Sequence, residues 1–301
     1  MHQAWTSATE PKHVNPVNFD ALPPLSPRAA ELLVIKIEDD DAEQQLLNIV
    51  SNEPLLAARL VAVANSAACA GSPARIASVR QAVRRIGMRQ AMQLATAILF
   101  GQPVSAHLSD QAREQLWLHS VSMATSCREV ARLLKYQDGS DAYLHGLLHD
   151  LGYMLAELTW PGALERVCVF ALEHTLTIEE AEREQFGREH GELTAMLLEH
   201  WQAPTPFARV HRNHHQFAGR SNSLAGILCA AESIISLDEF GQGVFGGTAN
   251  PFACLARPRD VVESLLLRQL RLEQRQLDQL LDRMIDSVAE IAGLGRSMAA
   301  V

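Results

Sequence analysis

The chain lacks most of the features by which a sequence announces its class. Its five cysteines, Cys69, Cys127, Cys168, Cys229 and Cys254, are odd in number and include no CxxC pair. That excludes a disulfide framework and a thiolate zinc site of ordinary spacing, and it fits reduced thiols that fill the core. The first twenty residues hold no apolar run of signal-peptide length, and no later stretch reaches the roughly 18 uncharged apolar residues of a membrane span. The expectation is a soluble, cytoplasmic protein without membrane contact. Positive charge is also short: 26 Lys and Arg stand against 35 Asp and Glu, a formal net charge of -9. General polyanion binding, which needs many neutralised phosphates, is disfavoured, and only a local basic patch stays open. Internal repeats, low-complexity tracts and alternating runs long enough for strands are missing too.

What is present reads as helix. Hydrophobic residues make up 48% of 301 positions, enough for one large or two smaller domains, and they recur at intervals of three and four. Ser26-Pro27 announces a first helix with a cap residue followed by proline. Asp41 with Gln44 reads as a capping box for a second, with Leu46, Leu47 and Val50 on its buried face. Asn52-Glu53-Pro54 starts a third, lined by Leu55, Leu56, Leu60 and Val63. Ser78 caps a fourth that ends at Gly87, and Met88 to Phe100 forms its partner. Gly101-Gln102-Pro103 marks the most plausible internal boundary, between about 101 and 111. The chain is therefore divided into an extension over 1–20, a helical subdomain over 21–105, a second over 106–238, a mobile glycine-rich loop over 239–258 and a helical segment over 259–301. Trp117, Trp160 and Trp201 are expected as anchors between helices.

Histidine and carboxylate then concentrate on successive predicted helices. His119 lies in EQLWLHSVSMATS, His149-Asp150 in YLHGLLHDLGYML on a helix starting near Asp141, His190 opens REHGELTAMLLEHW, and His214-His215 ends the helix after Pro204. Glu232 falls in the apolar run LAGILCAAESIISL, where an isolated charge is costly unless paired or bound to a cation. Adjacent helical residues point about 100° apart, so His149 and Asp150 share one metal only where several helices converge. Spacing alone offers another pairing, because His145 and His149, and likewise His211 and His215, are four apart. Neither pair carries the Glu of an HExxH metalloprotease.

The order His119, His149-Asp150-Leu-Gly, His190, His214-His215 and a late acid resembles the HD superfamily of metal-dependent phosphohydrolases. LPPLSPRAAELL at 22–33, SNEPLLAARLVAVANSA at 51–67 and SVRQAVRRIGMRQAMQLA at 78–95 are similar to the HDOD domain, the HD-related output domain of bacterial signalling proteins. The resemblance covers about residues 20 to 240. It implies an all-α, multi-helix HDOD architecture, with an N-terminal helical subdomain packed on an HD-like helical domain. It also implies that His119, His149, Asp150 and Glu232 correspond to mononuclear HD ligands, and that His190, His214 and His215 fall where relatives hold further metals. In an active site of that kind Asp150 would be the catalytic residue, bridging metals or orienting water. Iron, manganese, zinc and nickel all suit such donors.

Three departures bear on catalysis. Glu232 stands where the family usually has Asp, Tyr153 where many active relatives have Lys, and His214-His215 continues as QFAGRSN without the GYP signature of cyclic-di-GMP phosphodiesterases. Three readings result. The first is a non-catalytic bacterial signalling module that acts through signalling proteins in trans, since no receiver, cyclase or kinase segment is recognisable. The second is a metal-dependent phosphohydrolase acting on a nucleotide or other phosphoester. The third is a DNA-binding regulator, with Arg80, Arg84, Arg85 and Arg89 on two helices meeting at Gly87, set against a solvated arginine face on two packed helices. In the amphipathic stretch from Val261 to Ile291, Leu266, Leu270, Leu277 and Leu281 share one side, which serves either the chain's own core or a homodimer.

Overall fold

The computed structural model describes residues 16–22, 24–65, 75–105, 110–136, 139–203, 205–212, 214–215, 223–236 and 259–284, and all regular structure among them is helical. After a short 3-10 turn at Phe19–Ala21, the helices are α1 (Pro27–Val34), α2 (Ala42–Ser51), α3 (Pro54–Ala64), α4 (Val79–Ile86), α5 (Met88–Ser105), α6 (Asp110–Leu133), α7 (Gly139–Leu148) and α8 (Leu151–Thr159). They continue as α9 (Ala163–His174), α10 (Ile178–Phe186), α11 (His190–His200), α12 (Thr205–Arg212), α13 (Leu224–Ile235), α14 (Arg259–Leu270) and α15 (274–284). No single helix among the described residues is long and apolar enough to cross a membrane. The glycine-rich loop expected over 239–258 lies outside the described residues.

Local chemistry sets most of these ends. Ser26 Oγ accepts from the Arg28 N–H, and Ser78 Oγ accepts from that of Gln81, each satisfying a donor left free in a first turn. Thr177 and Glu180 form a reciprocal capping box on α10. The box expected at Asp41 does not form: Asp41 precedes α2 without a side-chain cap, and Gln44 instead bonds Asn48 one turn on. At Gly87 the backbone takes φ 92° and ψ 140°, which only glycine adopts cheaply, so α4 stops and α5 leaves in a new direction. The helix α5 then runs through Gly101-Gln102-Pro103 to Ser105, farther than the expected end at Phe100.

Two apolar clusters organise the chain. The larger joins α1–α5 to α8–α12 through Leu46, Leu56, Leu60, Phe100, Leu155 and Leu197, so it crosses the boundary expected between about 101 and 111. Trp160 stacks on Phe186 with ring centres 5.0 Å apart, and Trp201 meets Phe100 edge-on at 5.8 Å; the side chain of Trp117 lies outside the described residues. In the second cluster α6 and α13 pack with α14 and α15. Leu266, Leu270, Leu277 and Leu281 are all buried there, so the leucine stripe faces the chain's own core. A homodimer through the described part of this segment, 259–284, would have to use its polar side.

The arginines of α4 are engaged within the chain. Glu43 of α2 accepts from Arg80 at 2.9 Å and lies 3.8 Å from Arg84, while Arg85 reaches the Ala64 carbonyl. The acid missing between these arginines in sequence arrives from another helix, which favours the solvated, packed face.

Three glycines allow the close helix approaches that build the centre of the molecule. A Cβ on Gly146 would meet Ala124 and Cys127 of α6, one on Gly191 would meet the His211 carbonyl and the His214 ring, and one on Gly152 would collide with the backbone of His190 and Thr194. Because the obstacle at Gly152 is backbone, it cannot move aside alone. We expect Gly152→Ala to destabilise the protein by about 2 kcal/mol or more in urea unfolding, despite alanine's better helix propensity. Unchanged stability would contradict the close α8–α11 contact.

Candidate metal centre

The helix that carries His145 ends at Leu148, and the next begins at Leu151. His149-Asp150 therefore occupies a break between helices, not the interior of one helix as expected, with Asp150 at φ -100° and ψ 13° before the first turn of α8. The break removes the 100° divergence between neighbouring helical side chains. Asp150 Oδ1 lies 3.0 Å from His149 Nε2, and its Oδ2 lies 3.0 Å from Nε2 of His119, which projects from α6. Thr194 of α11 fixes the break: its hydroxyl donates to the His149 carbonyl at 2.7 Å and accepts from the Gly152 N–H at 2.8 Å.

The remaining donors arrive from three other segments. His190 is the first residue of α11, Glu232 lies in α13, and His214 and His215 stand just beyond the end of α12 rather than on it. His215 Nε2 is 2.8 Å from His190 Nε2, and His215 Nδ1 is 3.0 Å from Glu232 Oε2. His214 Nε2 faces the same oxygen at 3.5 Å. Two donor groups result, His119, His149 and Asp150 in one and His190, His214, His215 and Glu232 in the other. Asp150 Oδ1 is 3.6 Å from His190 Nε2, so the carboxylate stands between them. Glu232 sits in the second group, whereas the resemblance pairs it with His119, His149 and Asp150.

Several imidazoles have their ring orientation fixed from behind. Nδ1 of His149 donates to the Gly146 carbonyl, and Nδ1 of His214 to the His211 carbonyl, both at 2.7 Å. The lone pairs of their Nε2 atoms therefore point into the site, and that of His149 confronts a carboxylate oxygen at 3.0 Å. Two acceptors so close repel, so a cation has to lie between them, either a proton or a metal ion. This orientation, with carbonyl or carboxylate behind the ring and lone pair in front, is the arrangement of metal-ligating histidine. The residues present fit a divalent cation held by nitrogen and oxygen donors.

Glu182 completes the arrangement and was not legible as a site residue. Fully buried on α10, it accepts from His190 Nδ1 at 2.8 Å and from the His190 backbone N–H at 2.9 Å. The Tyr153 hydroxyl also bonds Glu182, and the Tyr153 ring stacks on His190 with centres 4.3 Å apart. Tyr153 thus braces a histidine where the resemblance would place a phosphate-binding lysine. The spacing of Glu182 eight residues before His190 carries no recognisable motif, because the two are brought together only by the turn at the left-handed Gly187 between α10 and α11.

The electrostatics follow from these contacts. Burial pushes the Asp150 carboxyl up, but His149 and His119 outweigh it and hold it well below the usual carboxylate range. Glu232 is likewise lowered, burial being overcome chiefly by His215. Burial drives His190 down, yet Glu182 raises it to about 10. His214 is depressed by burial and then by His215. Among the described residues no arginine or lysine pairs with Asp150, Glu179, Glu182 or Glu232.

His145 and His211, which spacing alone would pair with His149 and with His215, instead face one another: His145 Nδ1 is 3.0 Å from His211 Nε2, and the His145 ring lies against Phe207. Burial lowers His145 to about 3, and burial and His145 together hold His211 well below its ordinary value. The pair is therefore neutral when folded, whereas both groups titrate near 6.5 when unfolded. Below that pH the unfolded chain binds more protons, so the pair's contribution to stability is complete above about pH 6.5 and is lost as pH falls toward 3. We expect His145→Phe to flatten the stability–pH slope in that window by up to one proton, about 1.4 kcal/mol per pH unit. An unchanged slope in denaturant titrations would count against a neutral buried pair.

Comparison with known proteins gives a consistent picture. The family model for the HDOD domain matches residues 22–217. An uncharacterized protein of Treponema pallidum (strain Nichols) is 25% identical over 199 residues, covering 65% of this chain and 38% of the relative; the chain thus spans about two fifths of that relative's length. Among solved structures, an HDOD domain protein of unknown function from Geobacter sulfurreducens superposes with a TM-score of 0.65 at 18% identity, covering 90% of this chain and 93% of the other. A candidate signal transduction protein from Marinobacter aquaeolei VT8 gives 0.69 at 21% identity over 92% and 60%. A candidate phosphohydrolase from Shewanella amazonensis SB2B gives 0.67 at 21% identity over 93% and 96%. At these identities the likeness establishes a shared fold.

Proposed function

The chain belongs to the HDOD domain family, and from that premise we propose that it is a bacterial signal-transduction module that works through protein partners in trans and uses its HD site to hold a cation rather than to hydrolyse a phosphoester. The observation that carries this reading is the closure of the inner group. The side chains of His149, Asp150 and His119 are 0%, 3% and 6% exposed, and no lysine or arginine pairs with the site's carboxylates among the described residues. Donors this deeply buried leave a phosphoester no direct approach to an ion held among them. A side-chain cation beside the metals would strengthen phosphoester binding, and Tyr153 occupies that place as a brace on His190.

On this reading His119, His149 and Asp150 would hold one divalent ion, and His190, His214, His215 and Glu232 a second. The mixed imidazole and carboxylate donors suit iron, manganese, zinc or nickel. When bound, such an ion supplies Lewis acidity and a lowered pKa for water. The chain's own residues supply the rest: Thr194 holds the α7–α8 break, Gly146 and His211 carbonyls aim two rings, and Glu182 anchors His190. Because the donors come from α6, the α7–α8 break, α11, the end of α12 and α13, occupancy is coupled to how these helices pack. That coupling offers a route from the site to a partner-binding surface.

A metal-dependent phosphohydrolase is the second reading, favoured by one specific observation: Glu232 and His215 remain 20% and 11% exposed, which leaves the outer group an opening. The two readings separate in a turnover assay. Protein reconstituted with manganese or iron is expected to hydrolyse bis(p-nitrophenyl) phosphate and a panel of nucleotides no faster than the His149→Ala, Asp150→Ala double variant. Turnover above that background, abolished in the variant, would transfer the conclusion to the hydrolase.

A further inference from the structure

The two donor groups differ in access. The inner group is sealed, whereas the outer group combines deep donors, His190 at 1% and His214 at 0% side-chain exposure, with the more open His215 and Glu232. Beside that opening stands Glu179, 15% exposed, with Oε1 3.4 Å from His215 Nδ1. Glu179 is in the first turn of α10, three residues before Glu182, so both carboxylates leave the helix on one face. Glu182 backs His190, and Glu179 reaches the rim. Carboxylates at a rim do not by themselves define a site. The independent sign is His214: its Nε2 is fully buried, makes no hydrogen bond among the described residues and is aimed at Glu232, while its Nδ1 is committed to the His211 carbonyl.

Building on the reading of this centre as a cation site, we propose that Glu179 is an additional donor at the outer group and forms, with Glu232 and His215, the entry through which a divalent cation exchanges, while an ion at His119, His149 and Asp150 stays locked. The physical basis is asymmetric. Two carboxylates at a partly exposed mouth raise the local cation concentration and offer successive oxygen donors on the way to His214 and His190. The inner donors have no exposed member, so release from them requires the surrounding helices to part, which costs free energy that exchange at an open rim does not. The outer position would then respond to the supply of cations on a short timescale and the inner one would not.

The test uses the full chain loaded with zinc alone and then challenged with excess chelator, release being followed with a colorimetric indicator. The expected record is biphasic, a fast phase and a slow phase. Glu179→Gln should weaken the fast-exchanging ion by about tenfold or more, in the range seen when groups supporting a metal site are removed, and leave the slow phase unchanged. Glu179→Asp should restore part of the loss, which a purely structural role would not. Thermal unfolding of the chelator-treated variant at the wild-type temperature would show that the fold is intact. A single phase in the wild type, or two phases that Glu179→Gln leaves untouched, overturns the proposal while keeping the cation reading. Failure of the wild-type protein to take up zinc, manganese or iron overturns both.

Discussion

A carboxylate sealed inside a helical protein is the constraint on which this structure turns. Asp150 is 3% exposed, and an ionised carboxylate cannot stay there unless its charge is met. Nearly every unusual feature of the central helices serves that end. The chain breaks between α7 and α8 so that Asp150 and His149 can face the same point, and Thr194 occupies the break with one hydroxyl that both donates and accepts. His119 on α6 meets the second carboxylate oxygen. Gly146 and Gly152 keep α7 against α6 and α8 against α11, since a methyl group at either position would strike a neighbouring backbone.

The same logic extends outward as an alternation of imidazole and carboxylate. His190 lies between Asp150 and Glu182, and His215 between Glu232 and Glu179. Each carboxylate of the cluster is matched by a ring, and rings without a carboxylate, His145 and His211, are held neutral by burial and pair with each other. On the proposed reading this pattern suits cations, and among the described residues no lysine or arginine stands beside these carboxylates to hold a phosphate. It also explains why the cluster links distant parts of the chain. The donors sit where the larger apolar core, through α8 and α11, meets the second core, through α6 and α13.

The helical fold was readable because its signals are local. Ser26-Pro27, Ser78 and Gly87 act within one turn of themselves, and the three- and four-residue apolar spacing reports burial directly. The capping box at Asp41 failed for a related reason: Gln44 had a competing partner in Asn48, also within one turn. The seven donors His119, His149, Asp150, His190, His214, His215 and Glu232 could be selected because charged and imidazole groups in apolar helices are costly, and because their order matches a known family. Their partition into two groups could not be read, since it depends on the side-chain reach of Glu232 from α13 to His214 and His215 beyond the end of α12. Glu179 and Glu182 were hidden by a polar, amphipathic helix in which glutamate is ordinary, and only the turn at Gly187 brings them behind His190 and beside His215. The pairing of His145 with His211, rather than of each with its neighbour four residues on, depends on the contact of α7 with α12 and has no sequence signature.

Direct determination of metal content tests the central claim most sharply: inductively coupled plasma mass spectrometry on protein purified without chelator or affinity-tag nickel, beside the His149→Ala, Asp150→Ala double variant. A cation-holding centre built around Asp150 predicts one or two transition-metal ions per chain in the wild type, with at least the inner ion lost in the variant. Wild-type protein that contains no metal and refuses added iron, manganese and zinc would contradict it, and would mean that protons alone occupy the space between His149 and Asp150.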